Sequence, residues 1–209
     1  MTIPDQAEPA DSPAWGELDA AAKRARLLTV SHQVFAREGL DASMPALATA
    51  AGIGVGSLYR QFPSKRELLA ALVIERLEEV SADAAAALGS DVGPWAALTA
   101  FLWDHSERAA ADDVLAEAIA ATQVDPAVKR VRARSTAALQ QLLDAAKRDG
   151  EVREDATVLD LRLIFAAARA AEQLQPGAWR RALELGIDSL ARRRAFVIST
   201  SYEGEATNS

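Results

Sequence analysis

The side chains best suited to recognising another molecule lie close together in one short stretch of this chain. Arg60 and Gln61 are neighbours, and arginine pairs bidentately with guanine while glutamine pairs with adenine. Val55 is short and apolar, which suits contact with a thymine methyl group. The surrounding hydroxyl and ammonium groups suit phosphate oxygens. The predicted DNA-contacting residues are Ser43, Val55, Gly56, Ser57, Tyr59, Arg60, Gln61 and Lys65.

Small and apolar residues in this stretch are spaced as two short helices around a tight turn require. Ala48 is small where the helices would touch, and Gly52 lies in the turn, where a positive φ favours glycine. Leu58 is the apolar anchor of the second helix. We expect these helices at about residues 44–51 and 55–62. A second helix held in this way can enter the DNA major groove.

The same segment carries a longer pattern of matched residues: Ser43, Leu47, Ala48, Ala51, Gly52, Ile53, Gly56, Leu58, Tyr59, Phe62, Ser64, Lys65, Leu68 and Leu69. In these residues it resembles the N-terminal DNA-binding domain of TetR-family transcriptional regulators, from about Arg24 to Leu72. The resemblance implies a helix-turn-helix regulator, in most such cases a repressor. It also implies that the Tyr59 hydroxyl donates to a DNA phosphate.

The segment departs from the family pattern at the start of the second helix. Position 54 is usually a small polar cap and is Gly54 here, while position 55 is often polar or basic and is Val55. Glycine at an N-cap costs only a few tenths of a kcal/mol relative to serine. With glycines at 52, 54 and 56, we expect a loose first turn that DNA orders, and therefore a modest affinity.

Each predicted contact has a simpler structural alternative. Ser43 and Ser64 can serve only as helix caps, Tyr59 can belong to the core, and Arg60 can be solvated. The sequence also leaves open whether Arg60 or Gln61 faces the floor of the groove.

The charge distribution supports a DNA-binding segment within an acidic chain. The net charge is −7, yet residues 23–66 hold seven basic residues against two acidic ones, a balance of +5. Phosphate binding requires such a cluster, although a solvated charged face gives the same count. The chain has no cysteine, which excludes disulfides and thiol chemistry. We expect no membrane span, no secretory signal, no cofactor and a cytoplasmic location.

Helical periodicity along the rest of the chain predicts an all-α fold of about nine helices. We expect a flexible tail at 1–18, a three-helix DNA-binding domain at 19–66, an effector-binding and dimerisation domain at 67–194, and a flexible tail at 195–209. The second domain should end in helices at 155–174 and 177–194, with Arg192, Arg193 and Arg194 in the last helical turn.

The second domain is predicted to bind a small molecule and a second copy of the chain. The last two helices should pair with their copies as a four-helix bundle, because a symmetric dimer doubles the contacts on a palindromic operator. The alternative is that their faces only close a monomeric core. An apolar or aromatic effector should contact residues that otherwise belong to the core, with His105 or Gln140 as polar anchors. These candidates are Trp95, Phe101, Leu102, Trp103, His105, Leu139, Phe165 and Trp179.

Two other classes of function fit these residues less well. An enzyme is not expected, because His32 and His105 belong to no metal-binding pattern. The glycines at 52, 54 and 56 resemble a dinucleotide-binding loop only faintly, since Ser57 replaces its last glycine and no strand precedes it. A helical protein-interaction module that has lost DNA binding remains the alternative, because the body is acidic and the second helix begins with glycines.

Overall fold

The computed structural model describes residues 14–110 and 112–192. These residues form an all-α fold, which confirms the predicted fold class, with one 3₁₀ turn at Trp15–Glu17 before the first helix. The helices in this part of the chain are α1 (Ala20–Glu38), α2 (Met44–Ala50), α3 (Val55–Gln61), α4 (Lys65–Leu88), α5 (Pro94–Ala110), α6 (Asp113–Thr122), α7 (Pro126–Arg148), α8 (Val158–Leu174) and α9 (Trp179–Leu190).

Short polar residues set the starts of the helices. The Asp19 carboxylate accepts a hydrogen bond from the Ala22 amide at 2.7 Å and begins α1. The Ser64 hydroxyl accepts from the Glu67 amide at 3.2 Å and begins α4. Such caps satisfy amides that have no partner inside the helix. Gly39 ends α1 with φ +78°, a conformation that a side chain would strain.

The buried residues form two clusters, and α4 contributes to both. The first cluster joins α1, α2, α3 and the start of α4, and it includes Val114, Ala118 and Val128 from α6 and α7. The second cluster joins α5, α7, α8 and α9 with Ala84 near the end of α4. The helix-turn-helix therefore rests on a continuous helix that runs from one core into the other.

The structure differs from the sequence expectations at both ends of the described chain. Trp15 lies in the segment that the sequence predicts to be a flexible tail, but it packs against the first core cluster, with the Lys23 ammonium 6.0 Å from the centre of its ring. The C-terminal helices are shorter than predicted. Residues 1–13 and 193–209 lie outside the described residues, as do the predicted C-terminal tail and the positions of Arg193 and Arg194.

A backbone pairing explains why the last helix stops early. Val152 and Ala191 form an antiparallel bridge, and the Arg153 and Arg192 amides donate to Leu190 and Glu151 carbonyls. The expectation that Arg192 lies in the last helical turn is therefore wrong, because the chain is extended there. Thr157 is the N-cap of α8, so this helix begins at Val158, after the paired segment, and not at residue 155 as predicted.

None of the helices in the described ranges has both the length and the apolar character needed to cross a bilayer.

Candidate nucleic-acid interface

The helix-turn-helix is held by apolar contacts and by the turn that the sequence predicted. Gly52 has φ +66°, and the Ile53 amide donates to the Ala48 carbonyl at 3.0 Å across the turn. Ala48 and Leu58 are fully buried where α2 and α3 meet. Without a large side chain at position 48, the two helices can approach closely, so α3 is fixed on its inner side and its outer side is free.

Residues of α3 divide into rows of i and i+4 neighbours with different exposure. Leu58 faces inward, as does Phe62 at the C-cap. Val55 and Tyr59 form an outer row, with 37% and 43% of their surface exposed. The row of Gly56 and Arg60 is also exposed, and Ser57 and Gln61 form a half-buried row beside it. The exposure of Tyr59 excludes the alternative that it is a core residue.

Arg60 adopts a specific position along the outer surface of α3. Its Nη2 donates a hydrogen bond to the Ser57 hydroxyl at 2.7 Å. Because Ser57 is one turn earlier, the guanidinium is directed toward the start of the helix. This partner is neutral, so the bond leaves the positive charge of Arg60 available to an anion or a base edge.

Two further cations lie on aromatic rings of the same core. The Arg24 guanidinium is 4.4 Å from the centre of the Phe62 ring, and the Lys65 ammonium is 5.8 Å from that of Phe35. Cation–π contacts of this kind position a charge without neutralising it. Sequence reasoning counted Arg24 as part of the basic cluster but missed it as a candidate contact, since its position depends on a residue 38 places away.

The serines at the helix starts act as caps in the structure. The Ser43 hydroxyl accepts from the Ala46 amide at 3.3 Å, and Ser64 caps α4 directly before Lys65. Lys65 therefore stands at a helix N-terminus, where free amides and the helix dipole favour a phosphate. The DNA-binding segment thus has positive groups on α1, α3 and α4, namely Arg24, Arg60 and Lys65.

Comparison with known proteins agrees with this geometry. Residues 27–72 match the family model described as bacterial regulatory proteins of the tetR family, and residues 93–192 match one described as the SbtR-like transcriptional regulator C-terminal domain. A TetR transcription regulatory protein from Mycobacterium vanbaalenii is 34% identical and has a TM-score of 0.63. The match covers 83% of this chain and 98% of that one. The chain belongs to the TetR family.

More distant relatives share the fold of this TetR-family regulator. The TetR transcriptional regulator SCO0520 from Streptomyces coelicolor is 29% identical over 81% of this chain and 99% of its own, with a TM-score of 0.59. The ketosteroid transcriptional regulator KstR2 of Mycobacterium tuberculosis is 22% identical over 81% and 95%, also with a TM-score of 0.59. No match was found among curated protein sequences. Membership of the TetR family makes this chain a transcriptional regulator, and the regulators of this family are non-enzymatic DNA-binding proteins.

The eight residues predicted to bind an effector do not line one common cavity. Phe101, Trp103 and Trp179 line an open groove of about 630 Å³ beside the end of α4. Leu102 and Leu139 are buried in the second core cluster. Trp95 and Phe165 pack against that cluster, and buried His105 contacts the Phe101 ring with 4.3 Å between ring centres. Most of the eight predicted residues therefore belong to an aromatic and apolar core. Phe101, Trp103 and Trp179 are the ones that also line the groove.

A second cleft was missed by sequence reasoning. It lies between α1, α4 and α6 and has a volume of about 350 Å³. Within it, Nε2 of His32 is 3.0 Å from both carboxylate oxygens of Asp112. These residues are 80 positions apart, and neither belongs to a motif, so no local pattern could have paired them.

Proposed function

We propose that this TetR-family regulator is a homodimeric repressor in the cytoplasm that reads a palindromic operator and releases it when an effector binds. The observation that carries this proposal is the outer surface of α3, where exposed rows of side chains stand on a helix whose inner row is fixed in the core.

Contacts to bases would come from the middle and end of α3. Arg60 suits guanine and Gln61 suits adenine, while Val55 suits a thymine methyl group. Tyr59, Ser57, Lys65 and Ser43 would position the protein through phosphates, with the Gly56 backbone close to DNA. We assign this role to the proposed domain at 19–66 because the net positive charge is concentrated there.

Dimerisation would use the outer faces of α8 and α9. Leu163 and Leu185 are 58% and 53% exposed. They line one shallow groove, about 420 Å³ in volume, together with Ile164 and Gly186. Exposed leucines on two neighbouring helices support a four-helix contact with a second copy, which would place two α3 helices on one operator.

Effector binding would take place in the proposed domain at 67–194. The groove at Phe101, Trp103 and Trp179 has the size and the aromatic lining that suit an apolar or aromatic molecule. The dimer would have one conformation in which the spacing of its two α3 helices fits the operator and another in which it does not. An effector that binds the second conformation more tightly would lower the affinity for DNA.

The direct test is binding of the full-length protein to a pool of random-sequence duplexes, which requires no knowledge of the operator. Arg60→Ala and Lys65→Ala should each weaken binding, and Lys65→Ala should also lower the slope of log K against log salt by about 1. Arg130→Ala is the matched control, because Arg130 is exposed on α7 and its removal changes the net charge equally. If Arg60→Ala and Lys65→Ala bind as tightly as the wild type and the Arg130→Ala control, the outer surface of α3 does not bind DNA, and the alternative of a protein-interaction module is favoured.

A further inference from the structure

The cleft between α1, α4 and α6 has the composition of a binding site for a small amphipathic molecule. Its floor is apolar and is formed by Leu28 from α1, Leu72 from α4, and Val114, Leu115 and Ala118 from α6. Its volume, about 350 Å³, is within the range of small-molecule sites. Because it joins the first helix of the DNA-binding segment to the second part of the chain, an occupant would touch both.

The arginines at the rim are occupied by partners that lie mainly outside the cleft. Arg108 donates to Asp83 and Asp104 at 2.8 Å each, and neither aspartate lines the cleft. Arg76 donates to Glu79 at 2.9 Å and to Nδ1 of buried His105 at 3.0 Å. These contacts place the carboxylates of Glu79, Asp83 and Asp104 beside the two guanidinium groups and partly compensate their positive charge, so the rim offers little to an anion.

The carboxylates at the rim have weaker compensation. Burial and the neighbouring Glu79 raise the pKa of Glu75 above its ordinary value, although Arg24 and His32 act in the opposite direction. Asp112 has the His32 ring as its side-chain partner, with Nε2 3.0 Å from both carboxylate oxygens, and its Oδ1 also accepts from the Leu115 amide at 3.0 Å. A carboxylate in surroundings that disfavour its charge is stabilised by a cation placed beside it.

We propose that this cleft binds a small organic cation, an amine or amidine on a short apolar body, with Glu75 and Asp112 receiving the charge. The leucine and valine side chains of the floor receive the apolar body, and the charged group competes with His32 for Asp112. Since the contact between His32 and Asp112 connects α1 to the start of α6, the ligand loosens that connection. The effect of this cation on DNA binding rests on the proposed function, whereas the binding of the cation to the cleft does not.

The experiment measures binding of phenethylamine and benzamidine to the full-length protein without DNA at pH 7, by calorimetry and by thermal unfolding. Both cations should bind and raise Tm, whereas 2-phenylethanol, of similar size but neutral, and phenylacetate, an anion, should not. Glu75→Gln should weaken binding of the cations by about tenfold, because it removes one charged hydrogen-bond acceptor. Glu117→Gln, an exposed carboxylate elsewhere on α6, is the matched control and should bind like the wild type.

Three outcomes would overturn the site. These are no binding of either cation, equal binding of the neutral and charged compounds, or equal weakening by Glu75→Gln and Glu117→Gln. The same preparation is also tested for duplex binding, which separates the two proposals. Duplex binding without cation binding refutes only this site, and cation binding without duplex binding refutes only the DNA-reading function.

Discussion

At the scale of single residues, the side chains that we propose to contact DNA lie on the exposed outer surface of α3. Arg60 donates one hydrogen bond to the Ser57 hydroxyl, which a guanine can replace with a bidentate pair and a phosphate with an ion pair. Tyr59 is exposed although it is aromatic, and it stands one turn after Val55. Its hydroxyl is therefore accessible, and in the complex with DNA it can donate a hydrogen bond to a phosphate oxygen.

The contribution of Tyr59 can be isolated by removing one atom. Tyr59→Phe should weaken binding to specific and random duplexes by a similar amount, about 1 kcal/mol, since a phosphate contact carries no sequence information. Fluorescence anisotropy with both kinds of duplex measures the two losses. A loss confined to one sequence would instead make Tyr59 a base contact.

His105 illustrates a residue whose charge is suppressed by its surroundings. Burial, helped by Arg76 and Arg108, lowers its pKa to about 4, although Asp83 and Asp104 oppose the shift. Arginine can only donate, so Nδ1 of His105 accepts from Arg76 and the neutral ring carries its proton on Nε2. Nε2 lies 3.2 Å from Asp83 Oδ2, outside good hydrogen-bond geometry.

The low pKa of His105 predicts a loss of stability in mild acid. Below about pH 6.5 the histidine of the unfolded chain gains a proton that the folded chain does not bind. The free energy of unfolding should therefore fall as the pH decreases from about 6.5 to about 4, by up to about 3 kcal/mol from this residue. Urea unfolding between pH 4 and pH 6.5 measures this free energy, and His105→Gln should make its dependence on pH weaker. An equally steep curve for the variant would refute this explanation.

At the scale of the elements, α4 and the pair of α8 and α9 determine how the parts are connected. Residues 68–73 of α4 belong to the first core cluster, and Ala84 belongs to the second. A displacement of α4 in one core cluster therefore also moves the residues that α4 contributes to the other cluster.

The pair of α8 and α9 is packed unusually closely, since a Cβ on Gly186 would lie 2.8 Å from Cγ1 and 2.9 Å from Cγ2 of Ile164.

This close packing predicts an unusual cost for a small substitution. Gly186→Ala should destabilise the protein by about 1–3 kcal/mol from the forced separation of the helices, reduced by the roughly 1 kcal/mol that alanine gains in a helix. Chemical denaturation measures the net change. In the Ile164→Ala background, where both γ carbons are absent, the same substitution should become neutral or stabilising. A cost that is equal in both backgrounds would exclude a clash with Ile164.

The sequence predicted the elements whose signals are local and failed where partners are distant. The turn at Gly52, the cap at Ser64 and the anchor Leu58 were all specified by neighbours within a few residues, and the structure confirms them. The early end of α9 depends on a backbone pairing between Val152 and Ala191, which helical periodicity cannot reveal. The aromatic residues of the second domain were predicted to line an effector pocket, with the core as the alternative. Their division between core and groove, however, depends on how whole helices pack.

At the scale of the whole molecule, the exposed leucines of α8 and α9 are expected to be covered by a second copy. Leu163→Glu combined with Leu185→Glu places charges in the proposed contact and should give a folded monomer, because a buried unpaired charge is costly. Sedimentation and circular dichroism measure mass and helicity. Val124→Glu, an exposed apolar residue before α7, should leave the dimer intact. A double variant that still sediments as a dimer would place the interface elsewhere.

The most direct test of the account is selection from random duplex DNA with the purified wild-type protein at near-physiological salt. A dimer with two α3 helices predicts enrichment of a two-fold symmetric site, with half-sites separated by about one helical turn or its multiples. Arg60→Ala or Gln61→Ala, whichever residue reads a base, should lose preference at one position of each half-site, at a cost of about 1–3 kcal/mol. Weak, salt-sensitive binding without any enriched sequence would contradict the account, because the outer surface of α3 would then carry charge but read no bases.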